Sequence, residues 1–236
     1  MKNYTITIDT GTTNTRVFLF NEKNEVAASA KSEIGVRITA IDGNNNRLKT
    51  AIRGCLEEVL KQAGITYDEV KKVVASGMIT SNVGLVEIPH VVAPASAEDL
   101  AEAAKSVLIE DVCPLPILFI PGVKNRDGKL DLATFESMDM MRGEEVETVA
   151  VVESLPKGQA YLLVLPGSHT KFVSVDCAGK ITGCLTTISG ELLSVITNDT
   201  LIADAVGHSF EKLYSSSSCA MRRASYSRAF PTIEKS

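Results

Sequence analysis

The chain has 236 residues, 44% of them hydrophobic and 22% charged, which is enough apolar content for a sizeable core in one large domain or two small ones. A net charge of −5, with no basic block before Arg222 and Arg223, argues against nucleic-acid binding. No apolar run is long enough for a bilayer, the N-terminus lacks a signal-peptide core, and five scattered cysteines without a Cys-x-x-Cys pair argue against a disulfide framework or zinc site, so a reducing cytoplasm is the natural setting.

Tyr4 to Asp9 reads as a strand that ends in a carboxylate, and Arg16 to Phe20 as the strand that pairs back on it. Gly11 lets the intervening turn approach a ligand without a Cβ in the way. The hydroxyls of Thr10, Thr12, Thr13 and Thr15, with the N–H groups of the turn, suit an anion, and Arg16 adds a planar fork for phosphate oxygens. Asp9 would repel a bare phosphate, which suggests an intervening cation, and Mg²⁺ is usually held by one or two carboxylates plus nucleotide phosphates. An ordinary β-hairpin with a Thr-rich turn explains the same residues.

A third strand is expected over Glu25 to Ser32, then a polar bridge at Gly43 to Asn46. Arg47 to Ala63 has helical spacing, with Leu48, Ala51, Ile52, Cys55, Val59 and Leu60 on one face and Gly64 where a C-cap belongs. Val70 to Ala75 reads as a buried strand. Three antiparallel strands, a helix and a further strand predict a mixed sheet backed by helices, with ligands at the carboxyl ends of the strands. The loop from Gly77 to Leu85 carries Ser81 and Asn82 between two glycines, which suits either a polar small molecule or a plain connection. Ser96 to Leu100 opens a helix with a capping box, expected to run to about Val107. Pro116 to Pro121 reads as a strand, and Gly122 to Gly128 as an exposed turn.

From Glu144 a helix is expected whose first turn is rich in carboxylates. Such groups complement the helix dipole, and capping alone accounts for them. A glycine directly before a carboxylate, as at Gly143 and Glu144, also suits a general base facing a cleft. Tyr161 to Leu165, the turn Pro166 to Lys171 and Phe172 to Asp176 repeat the strand–turn–strand architecture of the N-terminus. Gly167, Ser168 and Thr170 again offer backbone approach and hydroxyls, Lys171 follows the turn as Arg16 follows the first, and His169 reads as a ligand, a base or a half-buried hydrogen-bonding group. Gly190 and Glu191 lead into a helix, and from about Gly207 the apolar period fails, as in a disordered tail.

Taken together and in order, Ile8 to Arg16, Gly77 to Gly84, Met141 to Glu145, Pro166 to Lys171 and Gly190 to Leu192 resemble the 2-dehydro-3-deoxygalactonokinase family of the sugar kinase, actin and heat-shock ATPase superfamily. The resemblance covers residues 1 to about 206 and implies an α/β fold of two ribonuclease-H-like (actin-like ATPase) domains around a cleft, the second incomplete. The corresponding division is 1–140, 141–206 and an irregular tail over 207–236. It further implies ATP and Mg²⁺ in the cleft and transfer of the γ-phosphoryl group to the 6-hydroxyl of 2-dehydro-3-deoxy-D-galactonate, a step in galactonate breakdown. Asp9 falls to the metal; Gly11, Thr12, Thr13 and Arg16 to the first phosphate loop; and Gly167, Ser168, His169 and Thr170 to the second. Glu144 takes the base role, with Glu145 and Asp139 as rivals, while Ser81, Asn82 and Arg142 would hold the sugar acid.

The chain departs from the family at its end, where the segment for adenosine and the final hinge helix do not follow. Two alternatives therefore stand beside the kinase: an enzyme of the same superfamily acting on another sugar acid or on pantothenate, and a catalytically impaired protein that only binds the sugar acid. The partners implied are a small substrate and a nucleotide, with neither nucleic acid nor membrane, and homo-oligomerisation is left open.

Overall fold

Alternation of apolar side chains sets the first sheet. In the computed structural model, which describes residues 3–128, 131, 132 and 134–207, strands β1 (Tyr4–Thr10), β2 (Thr15–Phe20) and β3 (Val26–Ser32) form an antiparallel meander. Ile6, Ile8, Val17 and Leu19 point to one buried face. The tail expected beyond Gly207 lies outside the described residues from position 208.

Two helices follow, α1 (Arg37–Asp42) and α2 (Asn46–Ala63). The short α1 was not expected from the sequence. α2 buries Leu48, Ile52, Cys55, Leu56, Val59 and Leu60 against β2 and β3, a stripe at helical spacing. It ends as expected at Gly64, whose φ of 67° is the left-handed cap that glycine adopts without a Cβ penalty. The chain then enters the middle of the sheet as β4 (Val70–Gly77), parallel to β1.

Beyond β4 come β5 (Val91–Val92), α3 (Ala97–Ala103), β6 (Lys105–Val107), β7 (Ile117–Phe119), β8 (Val123–Lys124) and β9 (Met140–Met141). Ser96 and Asp99 form the expected capping box of α3, but the helix stops at Ala103 and Lys105–Val107 joins the sheet edge antiparallel to β7. The supposed exposed turn at Gly122 also departs from expectation: β8 lies between β5 and β9, and Val123 is fully buried. β8 pairs with strands well separated in the chain, and β6, only three residues long, carries no alternating signal of its own.

The large sheet has the order β3-β2-β1-β4-β7-β6, with β1, β4 and β7 parallel. This is the mixed α/β arrangement expected from the sequence. Helix α4 (Glu144–Ser154) then leads to an antiparallel sheet of β10 (Tyr161–Leu165), β11 (Thr170–Val175) and β12 (Ile181–Thr187). Two bridges tie this sheet to the small one: Ala95 and Ile181 exchange backbone hydrogen bonds, and the Asn125 amide donates to the Cys184 carbonyl and accepts from its N–H. The inner face carries Val173, Val175, Ile181 and Cys184; Leu162, Val164 and Leu185 are exposed on the other.

The residues through Thr187 form one compact unit, and a second begins at Ile188. The latter contains α5 (Ser189–Asp199), close to where the Gly190 segment predicted a helix. No helix among the described residues is long and apolar enough to cross a membrane.

The Gly11 turn is pinned from behind: Val36 N–H donates to the Gly11 carbonyl and Arg37 N–H to that of Thr12. Gly35 permits this approach, since a Cβ there would lie 2.4 Å from the Gly11 oxygen. Gly35→Ala is therefore expected to lower stability by about 1–3 kcal/mol. Gly54→Ala, on the exposed face of α2 with open space around it, is expected to raise it by about 0.5–1 kcal/mol. Urea unfolding of both variants checks this; equal midpoints would show that the contact behind the turn carries no stability.

Candidate functional site

The carboxyl ends of β1 and β4 are adjacent in register, with Thr10 opposite Gly77 and Asp9 opposite Ser76. Gly77 has φ +87°, and a Cβ on it would lie 2.7 Å from the Thr10 oxygen. Gly143, directly before α4, has φ +113°, and its Cβ would reach 3.4 Å from the Gly77 Cα. Left-handed backbone favours glycine at both positions. The first turn, the loop after β4 and the start of α4 thus converge at the strand ends.

A cavity of about 760 Å³ opens there. Gly11 and Thr12 of the first turn contribute to its wall, as do Gly167, Ser168 and His169 of the β10–β11 turn. Ser81, Asn82, Arg142 and Glu144 complete the set of expected site residues on that wall. Asp9 instead lines an adjoining cavity of about 400 Å³, which Arg142, Glu144 and Glu147 share.

The remaining expected residues lie elsewhere. Thr10 and Thr15 are fully buried, and Thr15 donates its hydroxyl to the Ile34 carbonyl, so these two hydroxyls brace the turn from inside. The Thr13 hydroxyl accepts from the Asn14 amide at 2.8 Å. Arg16 pairs with Asp9 at 3.2 Å across the strands, both side chains about half exposed. Thr170 begins β11, outside the wall, with its hydroxyl 3.5 Å from the Gly167 carbonyl.

Arg142 is anchored by the protein itself. One guanidinium nitrogen donates to the Thr80 hydroxyl at 2.7 Å; the other reaches the Ile88 carbonyl at 2.8 Å and His90 Nδ1 at 3.3 Å. An arginine has only donors, so His90 Nδ1 accepts and Nε2 carries the proton. Burial, Arg142 and Lys124 bring the His90 pKa down to about 4, which keeps the ring neutral. Ser81 is nearly buried and donates to the Met78 carbonyl at 2.7 Å.

The three carboxylates considered for the base have different surroundings. Glu144 borders both cavities and accepts from the Arg142 N–H at 3.2 Å. Glu145 is completely buried, and both its oxygens accept from the Gly143 N–H at 2.8 Å, so it caps the helix from within. Burial raises its pKa to about 8 against the pull of those hydrogen bonds. Asp139 receives the backbone N–H and hydroxyl of Thr186 and lies 3.8 Å from Lys171 Nζ.

Sequence reasoning passed over His90, Lys124, Glu87 and Glu147 on these walls, and left Lys171 without a role. Only Lys171, directly after a polar turn, carried a local signal. His90 and Lys124 reach the cavity through β5 and β8, strands of two residues set by non-local pairing.

The 2-keto-3-deoxy-galactonokinase family matches residues 9–227. The chain belongs to this family. A Rhizobium meliloti (strain 1021) protein named probable 2-dehydro-3-deoxygalactonokinase DgoK1 is 27% identical over 203 residues, 86% of this chain and 59% of the relative. The 2-dehydro-3-deoxygalactonokinase of Escherichia coli (strain K12) is 30% identical over 198 residues, 84% of this chain and 58% of the relative. The chain thus spans under two thirds of the length of these curated relatives. Its fold is that of a Sinorhizobium meliloti protein provisionally named as a 2-dehydro-3-deoxygalactonokinase, with a TM-score of 0.67, 24% identity, 97% of this chain covered and 68% of the other. The α/β, ribonuclease-H-like character expected from the sequence is present in the six-stranded sheet.

The donor set of this kinase-family site fits the groups the family implies. Asp9 is a half-exposed hard oxygen ligand at a strand end, the type of carboxylate Mg²⁺ uses with nucleotide oxygens and water. Gly11 and Gly167 bring bare backbone to the larger cavity beside the Thr12 and Ser168 hydroxyls, which suits a phosphate chain.

Glu145 supplies a pH test. Its pKa lies above the unfolded value of 4.5, so the native state holds the proton longer and stability falls as pH rises from 4.5 to about 8. Between pH 5 and 8.5, Glu145→Gln is expected to gain on the parent by on the order of 1–4 kcal/mol. Denaturant midpoints across that range measure the gain; parallel curves for the two proteins would rule out a buried, titrating Glu145.

Proposed function

We propose that the chain is an ATP-dependent kinase that phosphorylates 2-dehydro-3-deoxy-D-galactonate at its 6-hydroxyl, in galactonate catabolism. The observation that carries this reading is that the two strand–turn–strand corners, Gly11–Thr12 and Gly167–Ser168–His169, share one cavity wall with Glu144. Phosphoryl transfer needs positioning and charge neutralisation more than covalent help, and this wall offers donors and a carboxylate.

In the proposed reaction Glu144 accepts the proton of the 6-hydroxyl as that oxygen forms a bond to the γ-phosphorus and the bond to ADP breaks. Its place between the two cavities supports it over the inward-turned Glu145 and the saturated Asp139. Thr12 and the backbone of Gly11, with Gly167, Ser168 and His169, would hold the phosphates; Thr13, Arg16 and Thr170 would brace those turns. Asp9 would hold Mg²⁺, which when bound neutralises charge on the phosphates. Ser81, Asn82 and Arg142 would shape the sugar-acid pocket. The repeated corner also supports a first half over 1–140 and a partial second half over 141–206, with a tail from 207. A cytoplasmic setting agrees with the free thiols at Cys55, Cys113, Cys177 and Cys184.

The deciding assay is ADP release from Mg-ATP with and without the sugar acid. Release that depends on the sugar acid is expected, and Glu144→Gln should reduce kcat by about 100-fold or more with little change in sugar-acid affinity. Thermal stabilisation by the sugar acid without any ADP release would favour a binding-only protein. Release with a different acid alone would reassign the substrate.

A further inference from the structure

We infer that Lys124 is the cation that takes the carboxylate of the sugar acid, and so sets the preference for an acid over a neutral sugar. The inference rests on the kinase reading above and assigns a residue to the substrate end opposite the reacting hydroxyl.

Among the described residues, three Lys and Arg side chains line the larger cavity: Lys124, Arg142 and Lys171. Two of them are occupied by the fold. Lys171 is nearly buried and donates to the Met140 carbonyl at 2.6 Å and to the Thr186 hydroxyl, with Asp139 beside it. Arg142 is fixed by Thr80, Ile88 and His90. Removing such groups from their partners would leave buried donors unsatisfied.

Lys124 differs. Among the described residues its ionic partner is Asp127, three residues along, whose side chain is 73% exposed and does not line the cavity. Ion pairs at that exposure contribute about 0–1 kcal/mol, so a ligand carboxylate can displace Asp127 at little cost. The Lys124 backbone is nevertheless rigid: β8 pairs on both sides, and the Lys124 carbonyl accepts from Ala93 N–H at 2.8 Å. His90 stays uncharged beside it and does not compete for the carboxylate as a cation. Glu87, Glu144 and Glu147 on the same wall would repel an acid without such a counter-charge.

Isothermal titration of 2-dehydro-3-deoxy-D-galactonate into the nucleotide-free protein tests this. Lys124→Met should weaken binding by about 10- to 100-fold, the scale of a hydrogen bond to a charged group. Lys124→Arg should stay within several-fold of the parent, and Asp127→Asn should bind equally or more tightly. The C1 amide of the same sugar acid should bind the parent and Lys124→Met alike. Equal affinity of the acid for parent and Lys124→Met, with both folded, overturns the inference and leaves the kinase reading standing. No binding to the parent protein overturns the kinase reading itself, and this inference with it.

Discussion

Three backbone segments converge at the carboxyl ends of the central strands. Thr10 ends β1, Gly77 ends β4 and Gly143 precedes α4; a Cβ on Gly77 would clash with the Thr10 carbonyl, and one on Gly143 would touch the Gly77 Cα. The parallel pairing of β1 and β4 sets the first contact, and positive φ at both glycines turns the chain away from the strand ends. The rest of the site depends on this convergence. It brings Glu144 to the wall of the cavity that Asp9 also lines, and it leaves the Gly11 turn open on the other side.

The charges around the cavity fall into two kinds. Lys171 with Asp139 and Thr186, and Arg142 with Thr80, Ile88 and His90, are polar clusters that cross between elements and fix their spacing. A buried charge is tolerated only with such partners, so these groups serve as rivets. Glu145 is buried against the Gly143 N–H, and burial pushes its pKa up to about 8. Lys124, Glu144 and the Asp9–Arg16 pair belong to the other kind, held loosely enough that a ligand can compete for them.

The two strand–turn–strand corners are alike in outline and different in electrostatics. In the first, the cation after the turn pairs across the strands with a half-exposed carboxylate. In the second, the equivalent lysine is drawn into the interior and held by a carbonyl and a hydroxyl. A shared architecture therefore leaves different groups at each corner: a half-exposed acid paired with an arginine at one, and neutral backbone and hydroxyl groups at the other.

Local order was legible in the sequence wherever one period ran long enough. The stripe of α2, its Gly64 cap, the first hairpin and the β10 strand follow from spacing and turn chemistry that need no distant partner. The polar loops stood out in the sequence as glycine-bearing stretches at predicted element ends, although a plain hairpin, a connection or helix capping explained the same residues. Tertiary structure decided the rest. β8 and the burial of Val123 depend on strands well separated in the chain, and β6 on a docking against β7 that the capping-box helix pattern concealed. The different settings of adjacent Glu144 and Glu145 depend on which faces the strand ends and which caps the helix from within, and Lys124 is distinguished by the exposed partner it has, which spacing along a chain does not encode.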